Sequence, residues 1–357
     1  MSKFHTLVVS DIKKETADSV SVAFEIPAEL KSDFNYVAGQ YLTLKFNLNG
    51  EEFRRSYSLC SSPLVNEPLR VAVKMVEKGK VSTYMNQQLK VGDKVESMAP
   101  IGNFFTELKK ENNKHYVGIA AGSGITPIFA IIKSMLVAEP NSKFSLVYSN
   151  KTSDSTIFLA ELKSLEQSSN GRFKLISVYS RQATENPVYH GRLNKEKVAQ
   201  LLNTENLKSA NEFFICGPEE MILNASAALN DAGVAKDKIH FELFTTPVLM
   251  AEQPKTTSAS DFTGVAKVKV IMDGIETEFE LDANGANLLD AAMDAGADAP
   301  FSCKGAVCCT CKAKVREGKA EMMMNYALTD KEVAEGYILT CQAHPRSASL
   351  VVDYDVA

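Results

Sequence analysis

The chain has 357 residues, 45% of them hydrophobic and 23% charged, with a net charge of −5. These proportions suit folded globular domains and exclude disorder, collagen-like repeats and coiled coil; the length suggests two or three domains. The acidic balance argues against nucleic-acid binding, which shows a basic face. No run reaches the ~20 apolar residues of a membrane-spanning helix.

Residues 1–108 read as strands joined by turns. LVVSDIKKE, SVSVAFEIP, QYLTLKFNL, FRRSYSLCS, LRVAVKMVEK and KVESMAP are short and rich in Val, Leu and aromatics. Asn49-Gly50 between two of them signals a tight hairpin. Strands without intervening helices suggest a small closed antiparallel barrel. The opening stretch MSKFHTLVVSDIKKET turns charged at once, and the expected location is cytoplasmic.

Residues 112–245 alternate strand and helix. HYVGIA, FSLVYSN, FKLISVYS, EFFICG and IHFELF are strand-like; PIFAIIKSMLVAE, IFLAELKSLEQ, NKEKVAQLLN and EEMILNASAALNDAG are helical, with Gly233 as a C-terminal cap. This predicts a doubly wound parallel sheet whose ligand crevice lies at the carboxyl ends of its strands. Residues 246–265 are rich in Thr, Ser, Ala and Pro without periodicity, as in a linker. Residues 266–357 begin with a hairpin turning at Asp273-Gly274, then a short helix, NLLDAAMDAG; Thr329 and Glu332 predict a capping box for LTDKEVAEGY. This last segment has 9 Lys+Arg against 15 Asp+Glu, a net of −6, which leaves +1 for the rest.

Seven cysteines, four of them within residues 303–311, point to metal ligation more than to disulfides. Four residues separate Cys303 from Cys308, two separate Cys308 from Cys311, and 29 separate Cys311 from Cys341. C-x4-C-x2-C…C is the plant-type spacing for a two-iron, two-sulfur cluster. Zinc sites come instead as two separated C-x2–4-C pairs. Small residues, Gly305, Ala306 and Thr310, let the loop curl and offer backbone N–H groups to sulfur. Cys309 is the spare thiol, and Cys60 reads as a buried small residue.

Arg55-x-Tyr57-Ser58 offers a guanidinium fork for a pyrophosphate, a flat ring for stacking and a hydroxyl. Gly79-Lys80-Val81-Ser82 precedes a helical run, where free N–H groups suit a phosphate. Gly122-x-Gly124-x-x-Pro127 follows a strand and opens a helix, expected to start at Pro127. Cys216-Gly217-Pro218 ends the fourth strand in the same crevice.

In this order the motifs resemble the ferredoxin–NADP reductase superfamily over residues 1–245, closing on Glu242-Leu243-Phe244. Residues 266–357 resemble a plant-type ferredoxin of β-grasp (α+β) fold, with Gly305-Ala306 where that family often has Ala-Gly or Gly-Gly. The resemblance implies FAD in the barrel, with Arg55 and Ser82 on its pyrophosphate, Tyr57 against its ring, and Lys74, Gly79, Val81 and Thr126 contributing to cofactor binding. It implies Ser58, Cys216 and Glu242 beside the flavin N5 and the nicotinamide. Plant-type members end in Glu-x-Tyr, whereas here Phe244 is followed by further chain. Neither Tyr148-Ser149-Asn150-Lys151 nor Ser180-Arg181 brings an acid to its strand end, and Ser180-Arg181 matches the family's 2′-phosphate pair, which favours NADPH over NADH.

The whole chain resembles the reductase subunits of bacterial phenylacetyl-CoA epoxidases, also through KFHTLVV, VYSNKTS, HGRL and SLVVDYD. That resemblance implies electron flow from NADPH through FAD and a 2Fe-2S cluster (Cys303, Cys308, Cys311, Cys341) to a di-iron oxygenase. Alternatives of the same layout would serve a ring-hydroxylating oxygenase, a desaturase or a hybrid-cluster protein. A different class would be a non-catalytic redox sensor.

Overall fold

A computed structural model describes residues 3–249 and 262–356. Most of the expected linker, 246–265, therefore lies outside the described residues.

The first domain is built from β1 (His5–Thr16), β2 (Ser19–Glu25), β3 (Tyr41–Leu48), β4 (Glu51–Ser58), β5 (Leu69–Lys74), helix α1 (Lys80–Gln87) and β6 (Lys94–Ser97). Its sheet runs β4-β3-β6-β1-β2-β5 with antiparallel neighbours. A bridge between Leu59 and Val71 joins the two edges, so the barrel closes. The β3–β4 hairpin turns at Asn49 and Gly50, with φ of 56° and 80°; two successive positive values are what a type I′ turn demands. Leu7, Val22, Leu42, Leu44, Leu59 and Val71 fill the interior.

The second domain holds β7 (His115–Ala121), α2 (Ile125–Ala138), β8 (Lys143–Asn150), α3 (Leu159–Ser168), β9 (Phe173–Tyr179), α4 (Lys195–Thr204), β10 (Glu212–Cys216), α5 (Glu219–Asp231) and β11 (Ile239–Glu242). All five strands are parallel, in the order β11-β10-β7-β8-β9. Pro127 sits two residues inside α2 rather than opening it; the first N–H groups of a helix lack intrahelical partners, so proline is tolerated there too. α3 begins at Leu159, later than the apolar pattern suggests, because buried Phe158 takes a left-handed φ of 61° and stacks on Phe129 at 4.9 Å. One face of the sheet shares its core with Ala38, Cys60 and Phe104 of the first domain.

The third domain contains β12 (Val265–Met272), β13 (Ile275–Asp282), α6 (Leu288–Asp294), β14 (Lys312–Glu317), β15 (Ala320–Met322), α7 (Asp330–Ala334), β16 (Tyr337–Leu339), β17 (Ala343–Pro345) and β18 (Ser349–Asp353). Its main sheet runs β13-β12-β18-β14-β16, with β12 and β18 parallel inside antiparallel neighbours. Asp273 and Gly274 make the hairpin turn with φ of 50° and 73°. Asn287 caps α6, and the Thr329–Glu332 capping box opens α7. Among the described residues no helix is long and apolar enough to cross a membrane.

Candidate functional site

Three cavities adjoin one another where the domains meet. The first, about 570 Å³, is walled by β4, β5 and the start of α1 and includes Arg55, Tyr57, Ser58, Lys74, Gly79, Val81, Ser82 and Thr126. Four basic side chains line it (Arg55, Lys74, Lys78 and Lys80) and no carboxylate does among the described residues. That donor set suits a dianionic pyrophosphate, and Tyr57 and Phe244 supply aromatic faces for a fused ring. Gly79 caps α1; a Cβ there would come within 2.5 Å of Ser82 Oγ. Ser82 Oγ accepts from Val76 N–H at 3.2 Å, fixing that turn.

The second cavity, about 630 Å³, lies at the carboxyl ends of β7, β8, β9 and β10. Gly122, Ser180, Gly217 and Pro218 line it, and so does Lys74, which it shares with the first cavity together with Ser123, Phe244 and Thr245. Gly124 is not in the wall. It lets the turn approach the end of β10, where a Cβ would fall 2.0 Å from the Cys216 carbonyl oxygen. Arg181 does not line this cavity; Arg192 and Lys151 do, beside Ser180, with Glu220 the one carboxylate among the described residues. Arg192 belongs to the stretch HGRL, and nothing in its local sequence marks it for this role.

Phe244 stands 42% exposed between the two cavities. Cys216 is fully buried, below the cavity wall, and pairs in register with Glu242 across β10 and β11. Burial holds its thiol well above the usual range, and Glu242 adds to the effect. The Ser58 hydroxyl donates to Glu242 Oε2 at 3.0 Å. Desolvation pushes the Glu242 carboxyl up to about 8, opposed by the Ser58 hydrogen bond.

The third cavity, about 330 Å³, joins the flavin-type wall to the cysteine loop: Arg55, Ser56, Ser58, Glu242 and Phe244 face it with Cys303 and Cys308. The four ligand candidates converge as two pairs. Cys303 and Cys308 lie with sulfurs 3.1 Å apart, and Cys311 hydrogen-bonds Cys341. Within each pair one thiol ionises more readily: hydrogen bonds from Cys303 and Cys311 lower Cys308 and Cys341, respectively. Backbone N–H groups point at the sulfurs, Gly305 at 3.3 Å and Val307 to Cys303, Thr310 to Cys308 and Ala306 to Cys341. Among the described residues no three Cys, His, Asp or Glu side chains are grouped so as to hold a single ion. Two thiol pairs with aimed N–H donors fit two irons, one per pair. The loop curls through left-handed Lys304 and Ala306, with φ of 50° and 64°. Cys309 is 8% exposed and Cys60 2%, both free thiols.

The loop docks on the barrel through contacts that the sequence motifs do not contain. Ser56 Oγ donates to Ser302 Oγ at 2.9 Å. Arg54 bonds Asp298 at 3.2 Å and lies 4.4 Å over the Phe301 ring. Tyr41, Thr43 and Thr310 also meet there.

Fold and site together define a three-domain oxidoreductase, and the comparisons give the same order. The chain matches the oxidoreductase FAD-binding domain family over residues 6–106, the oxidoreductase NAD-binding domain family over 119–227 and the 2Fe-2S iron-sulfur cluster binding domain family over 270–346. It is similar to a 1,2-phenylacetyl-CoA epoxidase component of Escherichia coli (strain K12), 40% identical over 99% of each chain. It is similar also to the ferredoxin reductase component of 3-ketosteroid-9-alpha-monooxygenase from Mycolicibacterium smegmatis, 34% identical over 98% of this chain and 96% of that one. Phthalate dioxygenase reductase shares the fold, with a TM-score of 0.56 at 23% identity over 98% of both chains. The chain belongs to the family of electron-transfer reductase components that includes the Escherichia coli epoxidase component. It is an oxidoreductase with domains for FAD, a pyridine nucleotide and a 2Fe-2S cluster, and the relatives it matches are components of oxygenase systems.

Proposed function

We infer that this chain draws electrons from NADPH and delivers them, through FAD and a 2Fe-2S cluster, to the di-iron oxygenase of a phenylacetyl-CoA epoxidase in the cytoplasm. The observation that carries the reading is the cavity whose walls hold both flavin-site residues and Cys303 and Cys308. A flavin and a cluster held by these residues would lie on either side of that cavity, with protein-lined space between them. The 40% identity over the whole chain favours the epoxidase as acceptor. Free cysteines throughout the described residues suit a reducing compartment.

When bound, FAD takes up a hydride's two electrons together and gives them up singly, which a one-electron cluster requires. The chain's own residues bind and orient. Arg55 and Lys74 neutralise the pyrophosphate, and Gly79 with α1 offers backbone donors. Tyr57 and Phe244 hold the flavin ring, and Phe244 must yield to the incoming nicotinamide because it borders both cavities. Glu242 keeps its proton below about pH 8, so little negative charge opposes the electrons arriving beside it. Gly122, Gly217 and Pro218 cradle the dinucleotide, and Ser180, Arg192 and Lys151 supply donors for a 2′-phosphate.

The test is an anaerobic titration with NADPH and, separately, NADH, followed by visible absorbance and low-temperature EPR. Flavin bleaching plus a rhombic two-iron signal at lower NADPH than NADH concentration is expected. A flavin that responds to neither nucleotide overturns the reading. Product formation with the purified oxygenase component then tests the acceptor.

A further inference from the structure

Tyr41 opens β3 and belongs to the barrel, yet its side chain reaches into the cysteine loop of the third domain. Its backbone is fixed by a reciprocal pair with Ile101, at 2.9 and 3.1 Å. Its ring packs so closely on Gly102 that a Cβ there would lie 3.0 Å away. The hydroxyl then receives the Cys309 N–H at 2.8 Å. Accepting that bond leaves the phenol proton free to donate, and the neighbouring acceptor is Thr310 Oγ1 at 3.4 Å. The Thr310 hydroxyl in turn bonds the Cys308 sulfur. A sulfur in a cluster accepts and does not donate, so Thr310 gives its one proton there and receives from its neighbours. Thr43, two residues along β3 and on the same face as Tyr41, lies 3.1 Å from Thr310 Oγ1. Tyr41, Thr43 and Thr310 are at most 4% exposed. Buried hydroxyls need partners, and these find them in one another, in the Cys309 N–H, in the Cys308 sulfur and in Ser56 Oγ, 3.3 Å from Thr43 Oγ1, which makes the seam specific in its geometry.

We propose that Tyr41 is a positioning residue for electron passage between the flavin site and the cysteine cluster, acting through Thr310 on the Cys308 sulfur. This rests on the reading of the four thiols as a 2Fe-2S site. The relay runs Cys309 N–H to Tyr41 O–H to Thr310 O–H to Cys308, and it performs two tasks. It holds the stretch between Cys308 and Cys311 against the barrel, which sets the separation of the two centres. It also directs hydrogen-bond donation at one sulfur, which stabilises the additional negative charge of the reduced cluster and raises its potential. Electrons alone cross this seam; no bond forms or breaks and no proton leaves the relay. Tyr41 borders the third cavity, on the side of the cysteine loop, but neither Tyr41 nor Thr310 lines the first or the second cavity, so hydride uptake is expected to be independent of them.

The experiment compares the full-length holoprotein with Tyr41→Phe, which keeps the ring, and Thr310→Val, which leaves the barrel untouched. FAD content and the rate of flavin bleaching by NADPH are expected unchanged in both. The cluster midpoint potential moves negative in both, and the following cluster reduction slows by about tenfold, the scale of one charge-assisted hydrogen bond. Amide exchange in the 303–311 segment accelerates in Tyr41→Phe. Unchanged potential and cluster reduction in both variants overturn the proposal while leaving the cluster assignment standing. If Tyr41→Phe loses FAD, the potential measured in Thr310→Val decides. Absence of a cluster signal in the unsubstituted protein overturns the assignment of the four thiols and the role of Tyr41 with it.

Discussion

Ser58 on the barrel donates to Glu242 at the end of the last parallel strand, at 3.0 Å, across 184 residues of sequence. The carboxyl it reaches is pushed up to about 8, first by burial and further by the Cys308 sulfur, against the pull of Ser58. Because the folded value lies above the ordinary 4.5, folding takes up a proton between those values. This group's contribution to stability therefore falls as pH rises from about 4.5 to about 8. In the same window the neutral form prevails beside the flavin pocket. The rate of flavin bleaching by NADPH is expected to fall as pH rises through about 8, when a carboxylate charge opposes incoming electrons. Stopped-flow profiles should show that inflection in the native protein and a flat line in Glu242→Gln; an inflection surviving in the variant assigns it elsewhere.

The thiol pairs make a sharper division among the cysteines. Cys311→Ser removes one member of the Cys311–Cys341 pair and is expected to abolish the two-iron EPR signal. Flavin-dependent reduction of a small dye by NADPH persists, because the first two cavities do not include that loop residue. Cys309→Ser and Cys60→Ser keep the signal, since both side chains lie outside the pairs. Loss of the cluster in Cys309→Ser would reassign the ligand set.

Nucleotide choice is expected to rest on Arg192 more than on Arg181. Arg192 lines the cavity at the strand ends beside Ser180 and Arg181 does not. A charge-assisted contact to a phosphate contributes about 1.5–3 kcal/mol, so Arg192→Ala raises the KM for NADPH by about tenfold or more. The KM for NADH stays near its native value, and Arg181→Ala changes neither strongly. Steady-state kinetics with both nucleotides decide this; equal losses for NADPH and NADH would mean that Arg192 supports the fold of the cavity instead.

How much of this molecule is legible in its sequence follows the range of the physics. Ligand spacing in Cys303–Cys311 is local, because one loop must wrap one cluster, and the Asn49-Gly50 and Asp273-Gly274 turns are dictated by their own φ values. The strand–helix alternation likewise marks the parallel sheet. Tyr41 carries no signal: as the first residue of an apolar strand it reads as core, and its partner Cys309 lies 268 residues away. The same holds for Ser56 and Ser302, ordinary hydroxyls until two domains meet. Arg192 is visible only as part of a family stretch, since the charge that reaches a cavity depends on how a loop returns to it. Pro127 reads as a helix start because proline favours that place, although the unpaired N–H groups of a whole first turn accept it.

Gly305 provides the last test, of how the chain leaving the nucleotide domain sits on the cluster loop. A Cβ at Gly305 would fall 1.8 Å from Thr246 Oγ1 and 2.8 Å from its Cβ. The contact is therefore to the body of the side chain as well as to its tip, and a rotamer change does not relieve it. Gly305 has a φ outside the left-handed region, so the objection to a side chain there is the neighbour and not the backbone. Gly305→Ala is expected to cost about 1–3 kcal/mol, the usual range for overpacking, and to disturb a loop whose Gly305 N–H donates to Cys303. The melting temperature falls and the cluster EPR signal broadens. Thr246→Gly opens the space, so the double variant Gly305→Ala/Thr246→Gly recovers most of the loss, a coupling that a thermodynamic cycle measures directly. Additive effects of the two substitutions would show that Thr246 does not rest on the loop in solution.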